Sequence, residues 1–129
     1  SDLECSIDLV VDRGRVIAAL GRRKNGAMQT LFDRGEEIEL ACRVAGQLEA
    51  DGLINVQTRA DDQGNPRVLE CNLRPSGGVG YGLHSGINLP AMMIAQRLGL
   101  PLPSQQLRHT TVRIVDEAIP VTASESHHA

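Results

Sequence analysis

The chain contains 129 residues, of which 41% are apolar, and its formal net charge is −3, so it is long enough for one globular domain with one core. One tyrosine, one phenylalanine, no tryptophan and a negative net charge exclude the basic, aromatic surface of a nucleic-acid-binding protein. No apolar run approaches the ~18 residues of a membrane span, and the three cysteines stand far apart. We interpret them as small buried residues of a cytoplasmic protein without a membrane partner.

The first segment predicts a β-hairpin. Apolar and polar residues alternate from residue 3 to residue 12, which is typical of a strand, although Val10 breaks the alternation. The pair Arg13-Gly14 is a turn signal. The apolar stretch 15–20 then predicts a second strand that returns beside the first.

A basic segment and a helix follow. Residues 21–30 carry several cations and glycines and predict a loop, with a short strand at 28–32. Asp33, with Glu36 three residues later, resembles a capping box. Apolar residues at helical spacing then predict a helix that ends near Gly52.

A second hairpin and a second helix come next. Residues 52–60 alternate between apolar and polar, and a cluster of turn formers at 61–66 joins them to a strand that begins near Val68. The loop 75–85 is rich in glycine. Apolar residues at helical spacing predict the second helix from about residue 89 to residue 98.

The remaining residues complete the predicted domain. A final strand is expected at 111–115, with residues 119–121 as its extension or edge, and the polar tail 122–129 is expected to be disordered. Two helices among short-linked hairpins predict an α+β domain over residues 1–121. Its sheet is expected to be mainly antiparallel, with the helices packed on one face.

The most informative motif lies in the second hairpin. Glu70, Asn72 and Arg74 occupy alternate positions, so their side chains are expected on one face within about 14 Å along the strand. Carboxylate and amide oxygens suit Mg²⁺, and a guanidinium suits a phosphate oxygen. The hairpin spacing brings Gln57 close to Glu70. Together the four residues predict a site for a metal bound to a polyphosphate.

A solvated hairpin is the alternative for any one of these residues, since half-exposed strands carry polar side chains on their outer face. The four together, followed by a glycine-rich loop, favour the metal and phosphate site. Neither a Ser-His-Asp nor a Cys-His constellation is visible in the sequence. Phosphoryl transfer requires none, because it depends on positioning and charge neutralisation.

These residues belong to an ordered set of motifs that resembles the C-terminal half of the ATP-grasp fold, as in the carbamoyl-phosphate synthase large chain and related carboxylate–amine ligases. Four segments carry the resemblance, in this order: Glu4-Cys5-Ser6-Ile7-Asp8, Gly52 to Gln57, Glu70-Cys71-Asn72-Leu73-Arg74, and Ser76-Gly77-Gly78 with Gly86-Ile87-Asn88-Leu89-Pro90. Together they span most of residues 3–100. The fold that the resemblance implies agrees with the predicted α+β class.

The resemblance implies a role for each matched residue. Gln57 and Glu70 would hold one Mg²⁺, and Glu70 and Asn72 a second, both on the phosphates of ATP. Gln57 and Arg74 would also bind the nucleotide, and Arg74 would act as the catalytic cation on the transferred phosphate. Glu4 matches a glutamate that contacts the ribose hydroxyls.

Two further groups are candidates by their place in the sequence. Arg22, Arg23 and Lys24 stand where the family has phosphate- or substrate-contacting side chains, and Lys24 is the candidate nucleotide ligand. A solvated basic turn is the alternative for this group. Tyr81 and His84 in the glycine-rich loop are candidates for contact with the acceptor, and a surface position is the alternative for both.

The implied function is that of an ATP-dependent ligase that activates a carboxylate as an acyl phosphate for attack by an amine or ammonia. Its cofactors would be ATP and Mg²⁺ or Mn²⁺, and its partners small acid and amine substrates. The family's adenine-binding part is expected before Glu4. We therefore expect this chain to be a C-terminal part, inactive alone, that associates with the missing half or a second copy. The alternative is a non-catalytic binding or interaction domain, or a partner subunit, that keeps the fold.

Overall fold

One six-stranded sheet organises the chain. The computed structural model describes residues 4–115 and 118–122. Its elements are β1 Glu4–Asp12, β2 Arg15–Asn25, β3 Met28–Phe32, α1 Glu36–Gln47, β4 Gly52–Ala60, β5 Pro66–Asn72, the 3₁₀ helix Val79–Ser85, α2 Leu89–Arg97 and β6 Thr111–Arg113. The strand order is β5-β4-β1-β2-β3-β6, and each neighbouring pair is antiparallel. β1 therefore lies inside the sheet and β5 at one edge.

One face of the sheet packs against α1. The alternate residues of β1 on this face are at most 1% exposed, and they form one cluster with residues of β4 and α1. This cluster, the α1-face core, consists of Cys5, Ile7, Leu9, Val11, Ile38, Ala41, Ala45, Ala50, Ile54 and Val56. A strict alternation of apolar side chains along β1 thus becomes one continuous apolar layer beneath the helix.

The three cysteines all belong to this side of the sheet. Cys5 is buried within the α1-face core, and Cys42 and Cys71 are partly buried against it. Burial raises the pKa of all three thiols above the ordinary value. Their surroundings agree with the interpretation of the cysteines as small packed residues rather than reactive thiols.

The opposite face packs against α2. Its cluster, the α2-face core, contains Val10, Leu20 and Leu53 of the sheet and Leu89 of the helix. The predicted α+β class and antiparallel sheet are confirmed, but the two helices lie on opposite faces rather than on one. The physical reason is visible at Val10, which breaks the alternation of β1 because α2 covers this side of the strand as well.

β2 is longer than predicted. It continues to Asn25 and pairs with β3 as far as Asn25 opposite Met28, so the basic residues that were expected in a loop belong to a strand. Gly21 allows β2 and β3 to pack closely, because a Cβ at this position would lie 2.3 Å from the ring of Phe32. The turn itself is confined to the residues around Gly26, which has a φ of 58°.

Both helices form where they are predicted, but α1 differs at each end, since it stops at Gln47 and not near Gly52. That helix begins at Glu36 with Gly35 as its N-cap and no side-chain cap, so the predicted capping box of Asp33 does not form. Three acidic residues in the first turn complement the helix dipole instead. α2 begins at Leu89, close to the predicted position, and the side chain of Asn88 caps it.

The C-terminal part is less regular than predicted. β6 has three residues instead of the expected five at 111–115, and residues 119–121 lie outside any strand. The predicted tail 122–129 falls almost entirely outside the described residues. Neither helix in residues 4–115 or 118–122 has the length and apolar content that a bilayer crossing requires.

Candidate functional site

Polar side chains gather on the same side of the sheet as α2, beyond the α2-face core. Residues that pair directly across neighbouring strands lie on the same face. The observed register therefore forms two adjacent rows, which we call the polar face: Arg22, Ser6, Gln57 and Glu70 in one row, and Asp8, Asn55 and Asn72 in the other. The polar face joins four neighbouring strands, β5, β4, β1 and β2.

The three predicted metal ligands come together on two of these strands. Gln57 pairs with Glu70, as the hairpin spacing predicted, and Asn72 lies two residues further along β5, so it shares their face. Glu70 is exposed, whereas Gln57 and Asn72 are half-buried. One carboxylate and two amides therefore stand at the solvent-accessible end of the polar face.

Arg74 does not continue this row. β5 ends at Asn72, so the alternation that was expected to bring Arg74 to the same face stops before it. Its side chain is exposed, and its Nη1 donates to the carbonyl oxygen of Pro75 at 3.0 Å.

Glu4 and Lys24, two predicted nucleotide-binding residues, contact each other. Lys24 Nζ lies 3.2 Å from Glu4 Oε1, and Arg59 Nη2 lies 3.3 Å from Glu4 Oε2. The hydrogen bond from Lys24, followed by the contact with Arg59, holds the pKa of Glu4 below its ordinary value, although partial burial opposes this shift. The sequence did not indicate a role for Arg59. Its proximity to Glu4 follows from the register of β1 and β4, which pairs the two residues directly.

A buried polar network lies at the centre of the polar face. Arg22, Asp8 and Ser6 are 4%, 2% and 1% exposed. Arg22 Nη2 lies 3.3 Å from Asp8 Oδ2 and donates to Ser6 Oγ at 3.0 Å. Asn55 Nδ2 donates to Ser6 Oγ at 2.8 Å and to Asp8 Oδ1 at 2.9 Å. The network thus joins β1, β2 and β4 through an ion pair that is almost fully removed from water.

Sequence reasoning did not identify this network. Ser6 and Asp8 stand at the polar positions of β1 and resemble outward-facing residues, which is how alternation is normally interpreted. Three buried atoms of the described residues lack a hydrogen-bond partner, namely Arg22 Nε, Asn55 Oδ1 and Thr58 Oγ1. Two of these atoms, Arg22 Nε and Asn55 Oδ1, belong to the network, which therefore has unused hydrogen-bonding capacity. Each unsatisfied buried polar atom costs about 1–3 kcal/mol of stability.

A cleft of about 230 Å³ opens above the network. It is lined by Ser6, Arg22, Lys24, Gln29, Gln57, Ser76, Gly77, Gly78 and Tyr81. Of the predicted nucleotide-binding residues, Lys24 and Gln57 line the cleft together with the glycine-rich loop, whereas Glu4 and Arg74 are not part of its lining. Tyr81 also borders a neighbouring groove of about 260 Å³ that contains His84 and Arg113. The two candidates of the loop therefore share this groove, and Tyr81 alone of the two also lines the cleft.

The largest hollow described, about 440 Å³, lies elsewhere, between the end of β3 and the segment around Leu107. Its wall contains none of the predicted site residues. We assign the candidate site to the smaller cleft, since a site is identified by its convergent polar groups rather than by its volume.

A family model described as "ATP-grasp in the biosynthetic pathway with Ter operon" matches residues 1–119. The chain belongs to this ATP-grasp family. The four motifs and the α+β architecture agree with that membership. No curated protein matches the chain significantly.

Solved structures share the fold. The structure of N5-carboxyaminoimidazole ribonucleotide synthetase from Thermotoga maritima matches with a TM-score of 0.61 at 20% identity, over 81% of this chain and 31% of that one. An ADP complex of purK, also an N5-carboxyaminoimidazole ribonucleotide synthetase, matches with a TM-score of 0.54 at 18% identity, again over 81% and 31%. This chain therefore spans about one third of the length of the solved structures that it matches.

The residues of this ATP-grasp chain fit a magnesium–nucleotide group. Magnesium prefers oxygen ligands, and it is commonly bound by one or two carboxylates together with substrate phosphates. Glu70, Gln57 and Asn72 supply one carboxylate and two amide oxygens on one face. No group of three or more His, Cys, Asp or Glu residues that could hold a metal occurs within residues 4–115 and 118–122. The donor set therefore suits a metal that brings its own phosphates better than a metal that is held by protein alone.

Proposed function

We propose that this ATP-grasp chain supplies the metal- and phosphate-binding half of an ATP-dependent ligase. The ligase would activate a carboxylate as an acyl phosphate, which an amine or ammonia then attacks. The register that pairs Gln57 with Glu70 and sets Asn72 on the same face carries the proposal, because it gathers three magnesium-type ligands beside a cleft that contains a lysine.

In this proposal, Gln57, Glu70 and Asn72 hold the metal, which neutralises phosphate charge when bound. Lys24 and Glu4 bind the nucleotide, and Arg74 is the catalytic cation that contacts the transferred phosphate. Two contacts must open first: Lys24 must leave Glu4, and Arg74 must leave the carbonyl of Pro75. Arg59 remains beside Glu4 when Lys24 moves, so the carboxylate keeps one cationic partner.

The first experiment is calorimetric titration of the chain with Mg·ATP. We expect binding that requires Mg²⁺ and that is lost in the double variant Glu70→Ala/Asn72→Ala. The matched control is Asp62→Ala/Gln63→Ala, which removes an acid and an amide from the exposed tip of the same hairpin. Titration with Mg²⁺ alone should give weaker binding, because one carboxylate is a minimal protein contribution.

Absence of Mg²⁺-dependent binding at millimolar ATP would contradict the proposed nucleotide site of this chain. Equal loss in the control variant would instead trace the effect to the hairpin as a whole. We also propose that the isolated chain does not turn over, and ATP hydrolysis by the purified chain would disprove that part.

A non-catalytic binding or interaction domain is the second candidate. The observation that favours it is the mutual ion pair of Glu4 and Lys24, which engages two predicted nucleotide-binding residues with each other. This candidate predicts no Mg²⁺-dependent nucleotide binding, whereas the ligase proposal requires it, so the same titration separates the two.

The proposed partners are small acid and amine substrates together with a second polypeptide surface, either the remainder of an ATP-grasp ligase or a second copy, in the cytoplasm. The edge strand β5 supports this expectation, since Val68 and Leu69 are 42% and 48% exposed there and an open edge is able to pair with another chain. Sedimentation equilibrium tests self-association, and a strictly monomeric chain at high concentration would rule out the second copy.

A further inference from the structure

The Ser76-Gly77-Gly78 segment is attached to the sheet through two side chains, those of Arg22 and Asp8. Arg22 Nη2 donates to Ser76 Oγ at 2.8 Å, and Ser76 Oγ in turn donates to Asp8 Oδ1 at 2.8 Å. The residues involved are 54 and 68 positions apart in the sequence. The loop that follows β5 is therefore connected to the buried ion pair on β1 and β2, and not only to its own neighbours.

The absence of a side chain at Gly78 is explained by the same guanidinium. A Cβ at Gly78 would lie 2.0 Å from Arg22 Nη1 and 2.7 Å from Arg22 Cζ. The φ of Gly78 is −97°, which any residue adopts, so space rather than backbone conformation requires glycine here. Gly80 in the same loop differs, because a Cβ at that position would meet no atom within 4 Å.

Arg22 also contacts the loop further along the chain, at Tyr81. Its Cζ lies 5.6 Å from the centroid of the Tyr81 ring, within the range of a cation–π contact. On the other side, Arg22 Nη1 donates to Gln29 Oε1 of β3 at 3.2 Å. One planar guanidinium thus contacts the loop at Ser76, Gly78 and Tyr81 while the sheet holds it in place.

We propose that Arg22 is a positioning residue that holds the glycine-rich loop over the polar cleft. The loop contributes four of the residues that line the cleft, namely Ser76, Gly77, Gly78 and Tyr81. Release of Arg22 would leave the hydrogen bond from Ser76 to Asp8 as the remaining side-chain attachment of this wall. It would loosen the wall without altering the predicted metal ligands on β4 and β5. The effect on a phosphate ligand rests on the proposed function, whereas the attachment of the loop does not.

Two variants separate loop positioning from a general loss of stability. Arg22→Lys keeps a cation for Asp8, so the buried carboxylate is not left alone, but a single ammonium lacks the planar fork that reaches Ser76 and Gln29 together. Gly78→Ala keeps Arg22 but places a methyl group against its guanidinium and, at 3.0 Å, against the Tyr81 ring, so it strains both contacts of the loop. Gly80→Ala is the matched control, because it makes the same change in the same loop where there is open space.

The loop itself is measured in two ways. Hydrogen exchange reports the amides of residues 76–82, and Tyr81 is the only tyrosine in a chain without tryptophan, so iodide quenching of its fluorescence reports the same loop. We expect faster exchange and stronger quenching in Arg22→Lys and Gly78→Ala and no change in Gly80→Ala. Unchanged exchange and quenching in both test variants would overturn the proposal.

The affinity of Arg22→Lys and Gly78→Ala for Mg·ATP is then compared with that of Ile54→Val, a variant that controls for reduced stability. Ile54→Val loses packing in the α1-face core without contacting the loop, so it should bind like the wild type at a temperature where it is fully folded. We expect Arg22→Lys and Gly78→Ala to bind about tenfold more weakly, which corresponds to about 1.4 kcal/mol. A merely structural role predicts wild-type affinity in the folded variants, and that result would refute the positioning role.

The failure of this inference and that of the proposed function are distinguishable. If the wild type does not bind Mg·ATP, the proposed function fails before any variant is examined. Hydrogen exchange and Tyr81 quenching still decide in that case whether Arg22 holds the loop.

Discussion

The two faces of β1 are both buried, but they are buried by different means. On one face Cys5, Ile7, Leu9 and Val11 pack against α1 as an apolar layer. On the other face, Ser6 and Asp8 are also at most 2% exposed. Their side chains form hydrogen bonds with Arg22, Asn55 and Ser76. Apolar packing stabilises the sheet without dictating which partners meet. The polar face depends on particular partners, so it specifies how the loop after β5 meets the sheet.

The largest expected effect tests whether the polar face depends on pairing. Asp8→Ala should lower the free energy of unfolding by about 3–5 kcal/mol, because it leaves the Arg22 guanidinium buried without its carboxylate. The double variant Asp8→Leu/Arg22→Met should recover part of this loss, since apolar side chains commonly replace a buried ion pair at little cost. Recovery is incomplete because Ser6, Asn55 and Ser76 lose hydrogen-bond partners. Urea denaturation measures both, and a double variant no more stable than Asp8→Ala would show that the ion pair is not the source of the effect.

The apolar face should respond to lost volume instead. Leu9→Ala in the α1-face core is expected to cost about 2–5 kcal/mol, through lost burial and the cavity that remains. Leu73→Ala removes the same atoms from a side chain that is 70% exposed and should change stability by less than about 0.5 kcal/mol. Similar urea midpoints for the two variants would contradict the assignment of this core.

Added volume provides a smaller test on the same side of the sheet. Gly21→Ala should lower the free energy of unfolding by about 1–3 kcal/mol, because the new methyl group meets the Phe32 ring at 2.3 Å. Thermal unfolding of this variant beside Gly80→Ala measures the effect, since the control methyl group meets no atom within 4 Å. Equal melting temperatures would show that the β2–β3 pair is looser than described.

The smallest effect concerns the exposed rim of the polar face. The pKa of Glu4 is held below its ordinary value of 4.5, chiefly by Lys24. Its contribution to stability is therefore present above pH 4.5 and is lost as the pH falls through the lowered pKa. Because surface ion pairs contribute about 0–1 kcal/mol, Glu4→Gln should be slightly less stable than the wild type at about pH 6.

The difference between Glu4→Gln and the wild type should disappear in strong acid. Urea denaturation of both proteins between about pH 2 and pH 6 checks this expectation, and Asp51 and Asp61, whose pKa values are also lowered, contribute equally to both. A stability difference that grows on acidification has the opposite sign and would exclude a lowered pKa at Glu4.

Local patterns in the sequence were sufficient for most of the elements and for part of the site. Alternating and apolar stretches predicted the strands of both hairpins, and apolar residues at helical spacing predicted both helices. The spacing of the second hairpin predicted that Gln57 lies opposite Glu70. These features depend on residues that are close in sequence, whose geometry follows from periodicity and turn chemistry. Membership in the ATP-grasp family follows from the order of the motifs.

Only the tertiary structure determined how the buried polar residues are used. Alternation cannot distinguish a polar residue that faces water from one that meets a partner 16 or 68 positions away, as Ser6 and Asp8 do in their contacts with Arg22 and Ser76. For the same reason the basic segment was expected in a loop, although Arg22 lies in β2 and is buried.

The sequence by itself determined the order of strands and helices along the chain and the candidate ligands, because these depend on local spacing. The tertiary structure decided which faces the helices cover and which residues hold the glycine-rich loop, because these depend on contacts between distant segments.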